Sequence, residues 1–459
     1  MHPPKSAMPK ALVLALVGCV AFRAVAAPGD EWPQFRGPGG QGHAVTVALP
    51  VEWSPTKNVA WKQALPGAGW SSPAISGGQL FLTAAVVDDG GRPALALFCF
   101  ASATGRLEWR AEVFGAGEFP LRPAHDPGSP ASPTPMVAGD RIYVYFGHHG
   151  AACFDRSGRP VWRNPPLRFD PVPVGGGSAI LAGDRLIYVA DCATAAFVVA
   201  LDQGTGKIRW RVPRTLPPKM KFSFGSPLPI EVGGQLQIVV PGAGAVTALD
   251  PRDGRELWRV RYSRENAAAP RPVFAHGLVF VAAGYLRAEL LAIRPDGAGD
   301  VTDTHVAWRL TKGAPIVPAL LAVGDELYGV NDAGVATCWE AKTGRVHWQE
   351  RLDGNYSAAP LVAGGRIYFQ NETGLGTVVE AKPVFAKLAV NDLGERTIAA
   401  AAAADGSLFV RTEKNLYRIA SPAPAPSSGS ADRSTARPNA FEPVLGRGWR
   451  QENARLSAP

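Results

Sequence analysis

A phrase that keeps returning limits what this chain can fold into more than any other feature of it. The stretch ALDPRDGRELWRV, Ala248 to Val260, has relatives that end at Arg110, Arg163, Arg211 and Gln349. In each, a glycine precedes a tryptophan by four residues: Gly105 and Trp109, Gly158 and Trp162, Gly206 and Trp210, Gly254 and Trp258, Gly344 and Trp348. Trp308 closes a sixth copy after a longer loop, and Trp61 stands near the N-terminus with no turn phrase before it. From Trp61 onward, successive tryptophans lie 48, 53, 48, 48, 50 and 40 positions apart. A self-similar period of this length marks a repeat architecture. A residue present in every unit reads as structural, because a catalytic group is needed once.

Most units open with a Pro-containing phrase, a turn pair such as Gly-Gly or Gly-Asp and short apolar runs, as in SSPAISGGQLFLTA from Ser71 and SAAPLVAGGRIYFQ from Ser357; there are eight openings in all. Short β-rich runs separated by turn pairs form antiparallel meanders, and the mature chain shows no sustained helical periodicity. The expected fold is all-β: an eight-bladed β-propeller over residues 58–420. The last opening has no tryptophan strand after it, and Trp61 has no opening before it. Residues 58–65 are therefore expected to complete the eighth blade from the N-terminus, closing the ring and removing a free sheet edge. Blade 7 is degenerate, with Phe385 or Leu388 expected at its tryptophan position. Elsewhere Trp61, Trp109, Trp162, Trp210, Trp258, Trp308 and Trp348 are expected to pack between neighbouring blades, beside the tight turn that the glycine makes.

Residues 1–26 read as a secretory leader, basic at first and then carrying twelve uncharged residues from Ala11 to Phe22, too short to span a bilayer. Cleavage after Ala24–Ala26 releases a soluble protein, whereas LVGC at Leu16–Cys19 resembles a lipobox that would leave Cys19 lipidated. Both exits place the protein in the periplasm or cell envelope. Residues 27–57 form a head segment, and 421–459, rich in Pro, Ser and Ala, read as a disordered tail. The net charge of +8 falls to about +5 without Lys5, Lys10 and Arg23. Spread over a whole propeller, that is solvated surface, and no nucleic-acid partner is expected. Cys99, Cys153 and Cys338 share one repeat position, held by alanine in other blades. With Cys192 they read as free thiols, small buried hydrophobes too far apart for disulfides.

The repeat phrase Ala-x-Asp-x-x-x-Gly-x-x-x-Trp resembles the tryptophan-docking motif of the quinoprotein (PQQ) dehydrogenase superfamily. The leading segment EWPQFRGPGGQGHA, Glu31 to Ala44, is similar to a bacterial group of PQQ-binding-like β-propeller repeat proteins. The resemblance covers roughly Glu31 to Ala420 and implies one of two occupations. One branch oxidises alcohols or sugars with PQQ and calcium. The other, the outer-membrane assembly factor BamB family, is a propeller without cofactor that binds partner proteins. Alcohol-oxidising members carry a vicinal disulfide, and this sequence has neither a Cys-Cys pair nor a Cys-x-x-Cys-His haem site. An enzyme also needs a hard cation held by Glu and Asn oxygens and an Asp base, and no compact motif supplies that set.

Propeller geometry gathers on one face the loops that enter each innermost strand and those joining the second strand to the third. The first set carries Trp70, His125, Asn355 and Tyr356. The second carries His148, His149, Asp191, Tyr285, Arg287, Asn331, Asp332, Asn371, Glu372 and Lys414. Together they line an axial funnel in which a small ligand or an envelope protein could bind. His148 and His149 invite a metal reading, but neighbouring residues of an extended loop point apart and no third ligand stands at suitable spacing, so no metal is expected. The reading is a monomeric, exported binding or scaffold module without chemistry or cofactor of its own. A dehydrogenase using PQQ with calcium is the second reading. The third is a glycan binder, with Trp70 and Tyr356 as exposed aromatic platforms.

Overall fold

The computed structural model describes residues 31–46, 48–87, 90–115, 128–164, 176–191, 196–214, 223–263, 267–284 and 288–422. Cys19, His125, Cys192, Tyr285, Arg287, the leader and the tail beyond 422 lie outside the described residues. Eight antiparallel meanders make up the fold, spanning 74–114, 136–164, 180–213, 228–261, 273–310, 321–351, 361–392 and 402–420. Val59–Ala64 pairs with Asn415–Ala420 as the outermost strand of the eighth sheet. The innermost strands are three to five residues long, and Ala74–Ser76 packs against both Met136–Ala138 and Ala402–Ala404. The first blade thereby adjoins both the second and the last.

Adjacent blades are joined by the repeat tryptophans. Six indole N–H groups donate at 3.0 Å to main-chain carbonyls on the next blade's turn: Trp61 to Ser102, Trp109 to Arg156, Trp162 to Gln203, Trp210 to Pro251, Trp308 to Ala341 and Trp348 to Lys382. The ring lies so close to the turn glycine that a Cβ on Gly206 would sit 2.4 Å from Trp162. Across the ladder, blades 1 to 6 place a small residue opposite each tryptophan: Cys99, Cys153, Ala200, Ala248, Ala292 and Cys338. A bulge follows each of these pairs and turns the strand toward its tight turn. The three cysteines are thus selected for size. All are buried and free, and burial pushes the Cys153 and Cys338 thiols up to about 12.

Two blades depart from this scheme. The long loop before Trp308 lays Gly299–Asp300 alongside Glu256–Arg261 as a parallel fifth strand, with Trp258 opposite Gly299. Trp258 is fully buried there and donates to Gln237 of its own blade at 2.8 Å, rather than to a neighbouring turn. In blade 7 the register places Ala389, not Phe385 or Leu388, at the tryptophan position, opposite Val378. Phe385 instead packs edge-on against Trp348 with centroids 5.0 Å apart, and Leu388 is exposed.

The head repairs blade 7. In five other blades the tryptophan leans on an aromatic of its blade's second strand, as Trp348 does on Tyr328 and Trp162 on Tyr143. The corresponding residue of blade 7 is Tyr368, and its ring is met by Trp53, 6.4 Å away and nearly parallel. Trp53 is buried, and its backbone N–H donates to Asn391 Oδ1 at 2.8 Å. A side chain from outside the repeats thus fills the volume that Ala389 leaves. Before reaching this point the head crosses the ring. Trp32 pairs with Ile75 of blade 1, Pro33 accepts from Val137 of blade 2, Gln41 bonds Phe274 of blade 5 in both directions, and Ala44 donates to Val362 of blade 7. Unpaired innermost edges acquire backbone partners in this way.

Candidate functional site

Among the described residues of the loops expected to line the funnel, most polar groups are committed to the fold. Asn331 Oδ1 accepts from the Val335 N–H at 2.9 Å, closing its own turn. Asp332 accepts from the backbone N–H groups of Ile316 and Val317 at 2.7 and 3.1 Å, and burial raises its carboxyl above the ordinary value. One blade on, the same plan recurs. Asn371 is fully buried and accepts from the Thr373 and Leu375 N–H groups while donating to the Asp353 carbonyl. Glu372 accepts from the Ser357 hydroxyl at 2.5 Å. Each acid therefore clamps the loop that enters its own blade's innermost strand, a structural task set by repetition.

The aromatics differ from expectation as well. Tyr356 is 1% exposed and belongs to the core between blades 6 and 7, so it is no platform for a sugar. Trp70 is half-buried, with the Arg396 guanidinium 5.6 Å above its ring, and Lys414 is exposed while its carbonyl accepts from Leu65. His148 and His149 do not point apart. They occupy the single 3-10 turn Gly147–His149, which brings their rings to 3.8 Å. Burial, and then the neighbouring His148, push the His149 imidazole down to about 3. Among the described residues no group of three metal-ligating side chains converges.

Among the described funnel candidates, Asp191 also has an unusual environment. It ends the second strand of blade 3 and forms an ion pair of 2.8 Å with Arg214, just past the fourth strand, with side chains 0% and 6% exposed. Burial raises the carboxyl to about 6, and the Arg214 charge offsets only part of that. Asp191 Oδ1 and Arg214 Nε and Nη2 have no acceptor or donor opposite them among the described residues. Tyr145 stacks on Tyr188 at 4.3 Å beside the pair and donates to the Val189 carbonyl. Sequence reasoning missed Arg214. Its signal was weak, a basic residue one position beyond a strand in a chain where basic residues follow most tryptophans. As placed, the pair is closed to solvent, and its chemistry is that of a charged strut between the second and fourth strands of blade 3.

A ring of eight blades, seven of four strands and one of five, joined by indoles and carrying loops whose polar groups are tied into turns, defines a PQQ-like repeat propeller. The family model described as Outer membrane protein assembly factor BamB matches residues 96–300 and 297–408, and the chain belongs to that family. Outer membrane protein assembly factor BamB of Alkalilimnicola ehrlichii is 28% identical over 155 residues, which are 33% of this chain and 39% of that relative. The match thus spans well under half of the relative's length. Among solved structures, BamB from Moraxella catarrhalis superposes with a TM-score of 0.56 at 13% identity, covering 78% of this chain and 99% of that one. Quinohemoprotein alcohol dehydrogenase ADHIIG from Pseudomonas putida HK5 gives 0.61 at 12% identity, covering 86% and 82%. The computationally designed Ika8 protein gives 0.51 at 12%, covering 78% and 100%. At such identities these structures speak for the fold alone.

Proposed function

We propose that this protein is an exported scaffold of the bacterial cell envelope that holds a partner protein at its loop face in outer-membrane protein assembly, with no catalysis of its own. The observation that carries the reading is family membership over most of the propeller. Its complement is the state of the loop-face acids. A PQQ–calcium centre needs carboxylate and carboxamide oxygens free to meet a cation, whereas Asp332, Glu372, Asn331 and Asn371 spend theirs on their own loops. Export through the leader, with or without a lipid on Cys19, places the propeller where such a partner would be found.

The test has two arms. In the native host, deletion of the gene is expected to lower the amount of folded outer-membrane β-barrel protein, and photo-crosslinkers on the loop face to capture a component of the assembly machinery. In vitro, PQQ with calcium is expected to leave the melting temperature unchanged, because a ligand that binds only the folded state must raise it by mass action. Unchanged β-barrel levels together with saturable stabilisation that needs both PQQ and calcium would overturn the scaffold reading in favour of a dehydrogenase.

A further inference from the structure

The head brings to the ring a buried charge that meets a second one on blade 5. Arg36, in the head, and Arg271, two residues before the innermost strand of blade 5, are each 2% exposed. Arg36 Nη2 donates to the Gln41 and Leu320 carbonyls at 2.8 and 2.6 Å, and Arg271 Nη1 donates to the Phe35 carbonyl at 3.0 Å. These bonds fasten the head to blades 5 and 6, yet they use few of the donors. Arg36 Nε and Nη1 and Arg271 Nε and Nη2 are buried with no acceptor among the described residues.

No carboxylate balances either charge among the described residues. Burial pushes both guanidinium groups down to about 9, and for Arg36 the charge of Arg271 adds to it. Two like charges buried side by side are strongly disfavoured unless a counter-charge joins them. The backbone nevertheless makes room for both. A Cβ on Gly40 would lie 2.4 Å from the Arg271 guanidinium, and one on Gly42 would lie 2.9 Å from Arg36 Nη2. Beside them a cleft of about 410 Å³ opens, lined among others by Gln41, His43, Phe274 and His276. Burial and the Arg36 charge lower the His43 imidazole below 6.5, against a bond to the Ala322 backbone that raises it. His43 in the cleft wall and Arg36 are therefore electrostatic neighbours, although neither arginine lines the cleft itself.

We propose that Arg36 and Arg271 form a binding site for a small oxyanion of the phosphate or carboxylate class, between the head and the innermost strands of blades 5 and 6. The Arg271 Nε and Nη2 edge offers two parallel N–H groups that match two oxygens of such an anion, and Arg36 Nε and Nη1 add single charged donors beside it. The anion supplies the missing counter-charge and ties the head down, so its binding couples to the order of the segment that also delivers Trp53.

The test is titration of the full mature chain with inorganic phosphate, and separately with succinate, at constant ionic strength held by sodium chloride. Either anion is expected to raise the melting midpoint saturably, and amide exchange of residues 35–44 is expected to slow in step. In R271Q the apparent affinity should fall roughly 10- to 100-fold, the loss of one charge-assisted contact, while R271K retains part of it. A stronger response to phosphate identifies an inorganic or phosphoryl ligand, and a stronger response to succinate identifies an organic acid. Should R271Q not fold, the exchange experiment on the unaltered chain decides alone. A midpoint and exchange pattern that follow only ionic strength would overturn the site, as would equal shifts in the variant and the parent.

Discussion

Trp53 lies outside every repeat, yet it is expected to matter as much to stability as a repeat tryptophan. It is 4% exposed, its ring faces Tyr368, and its fit is close enough that a Cβ on Gly376 would sit 2.3 Å from Cζ2. Trp53→Ala therefore opens a cavity against a core that cannot collapse, at a cost of ~3–5 kcal/mol. Trp348→Ala is the reference, expected to cost the same plus ~1 kcal/mol for its lost indole bond to Lys382. The decisive variant rebuilds in blade 7 the pairing that other blades use, by Ala389→Trp with Val378→Ala. Alone, these changes overpack a space that Trp53 already fills, at ~1–3 kcal/mol. Combined with Trp53→Ala they return an indole to Tyr368, so the triple variant should be more stable than additivity predicts by at least ~2 kcal/mol. Urea unfolding at matched m-values gives each difference. Additive costs, or a Trp53→Ala cost below ~1 kcal/mol, would refute the substitution of head for repeat.

The remaining predictions concern the turns and the buried acid. Gly206 and Gly183 both have positive φ, +69° and +60°, but only Gly206 faces a ring, at 2.4 Å, whereas nothing lies within 4 Å of Gly183. Alanine at Gly183 should cost ~1–2 kcal/mol for conformation alone, and at Gly206 a further ~1–3 kcal/mol for displacing Trp162; equal costs in urea unfolding would argue that the indole yields freely. Asp191 titrates near 6 in the folded chain against 3.8 for an unburied carboxyl, so the folded state holds the extra proton between these values. Its stabilising contribution is present below 3.8 and is lost as pH rises through about 6, a swing of ~3 kcal/mol at most. The stability difference between the parent and Asp191→Asn, followed from about pH 4 to 7, should show that slope, and a flat difference would place the carboxyl in a wetter site than it occupies here.

How much of this was legible in the sequence depended on whether a residue repeats. The blade openings recur eight times and the small residues opposite the tryptophans six times, so the chain averages out its own exceptions. The exceptions were not legible. Nothing local tells that Trp53 faces Tyr368, because the two are brought together only when the head leaves the ring across blade 7. The position of Ala389 depends on a bulge at Val378–Val379, and an unbulged count lands on Leu388 instead. The polar loop residues were found but misjudged. Asn-Asp at 331–332 and Asn-Glu at 371–372 look like a ligand set when read singly. As a repeated pair they are turn chemistry, Asx turns followed by a carboxylate that holds the preceding loop. The adjacent histidine pair failed for a plainer reason, since one 3-10 turn at Gly147–His149 replaces the extended loop that would have parted the rings.

The same reasoning says where to look for function in a propeller. Every position has seven relatives, and a side chain serving the architecture is either kept in several of them or replaced by something of complementary size, as Val378 with Ala389 replaces Cys338 with Trp348. Function must therefore reside in residues that the repeat neither keeps nor compensates. Arg271 is such a residue, a charge two places before an innermost strand, at a level where the other blades carry small or apolar side chains. Arg36 and His43 belong to a segment with no counterpart in the repeats. Asp191 and Arg214 compensate each other and so fall on the architectural side, despite the raised carboxyl. By this criterion the head, which was expected only to precede the propeller, carries both the replacement for a missing structural tryptophan and one of the two uncompensated charges. A ligand that binds there would regulate how firmly the head is seated, and with it the seal between blades 7 and 8. Because Arg271 stands in the loop that enters the innermost strand of blade 5, the anion site adjoins the loop face, and a variant that loses phosphate binding while its head stays seated shows whether the partner reads the anion or only the seated head.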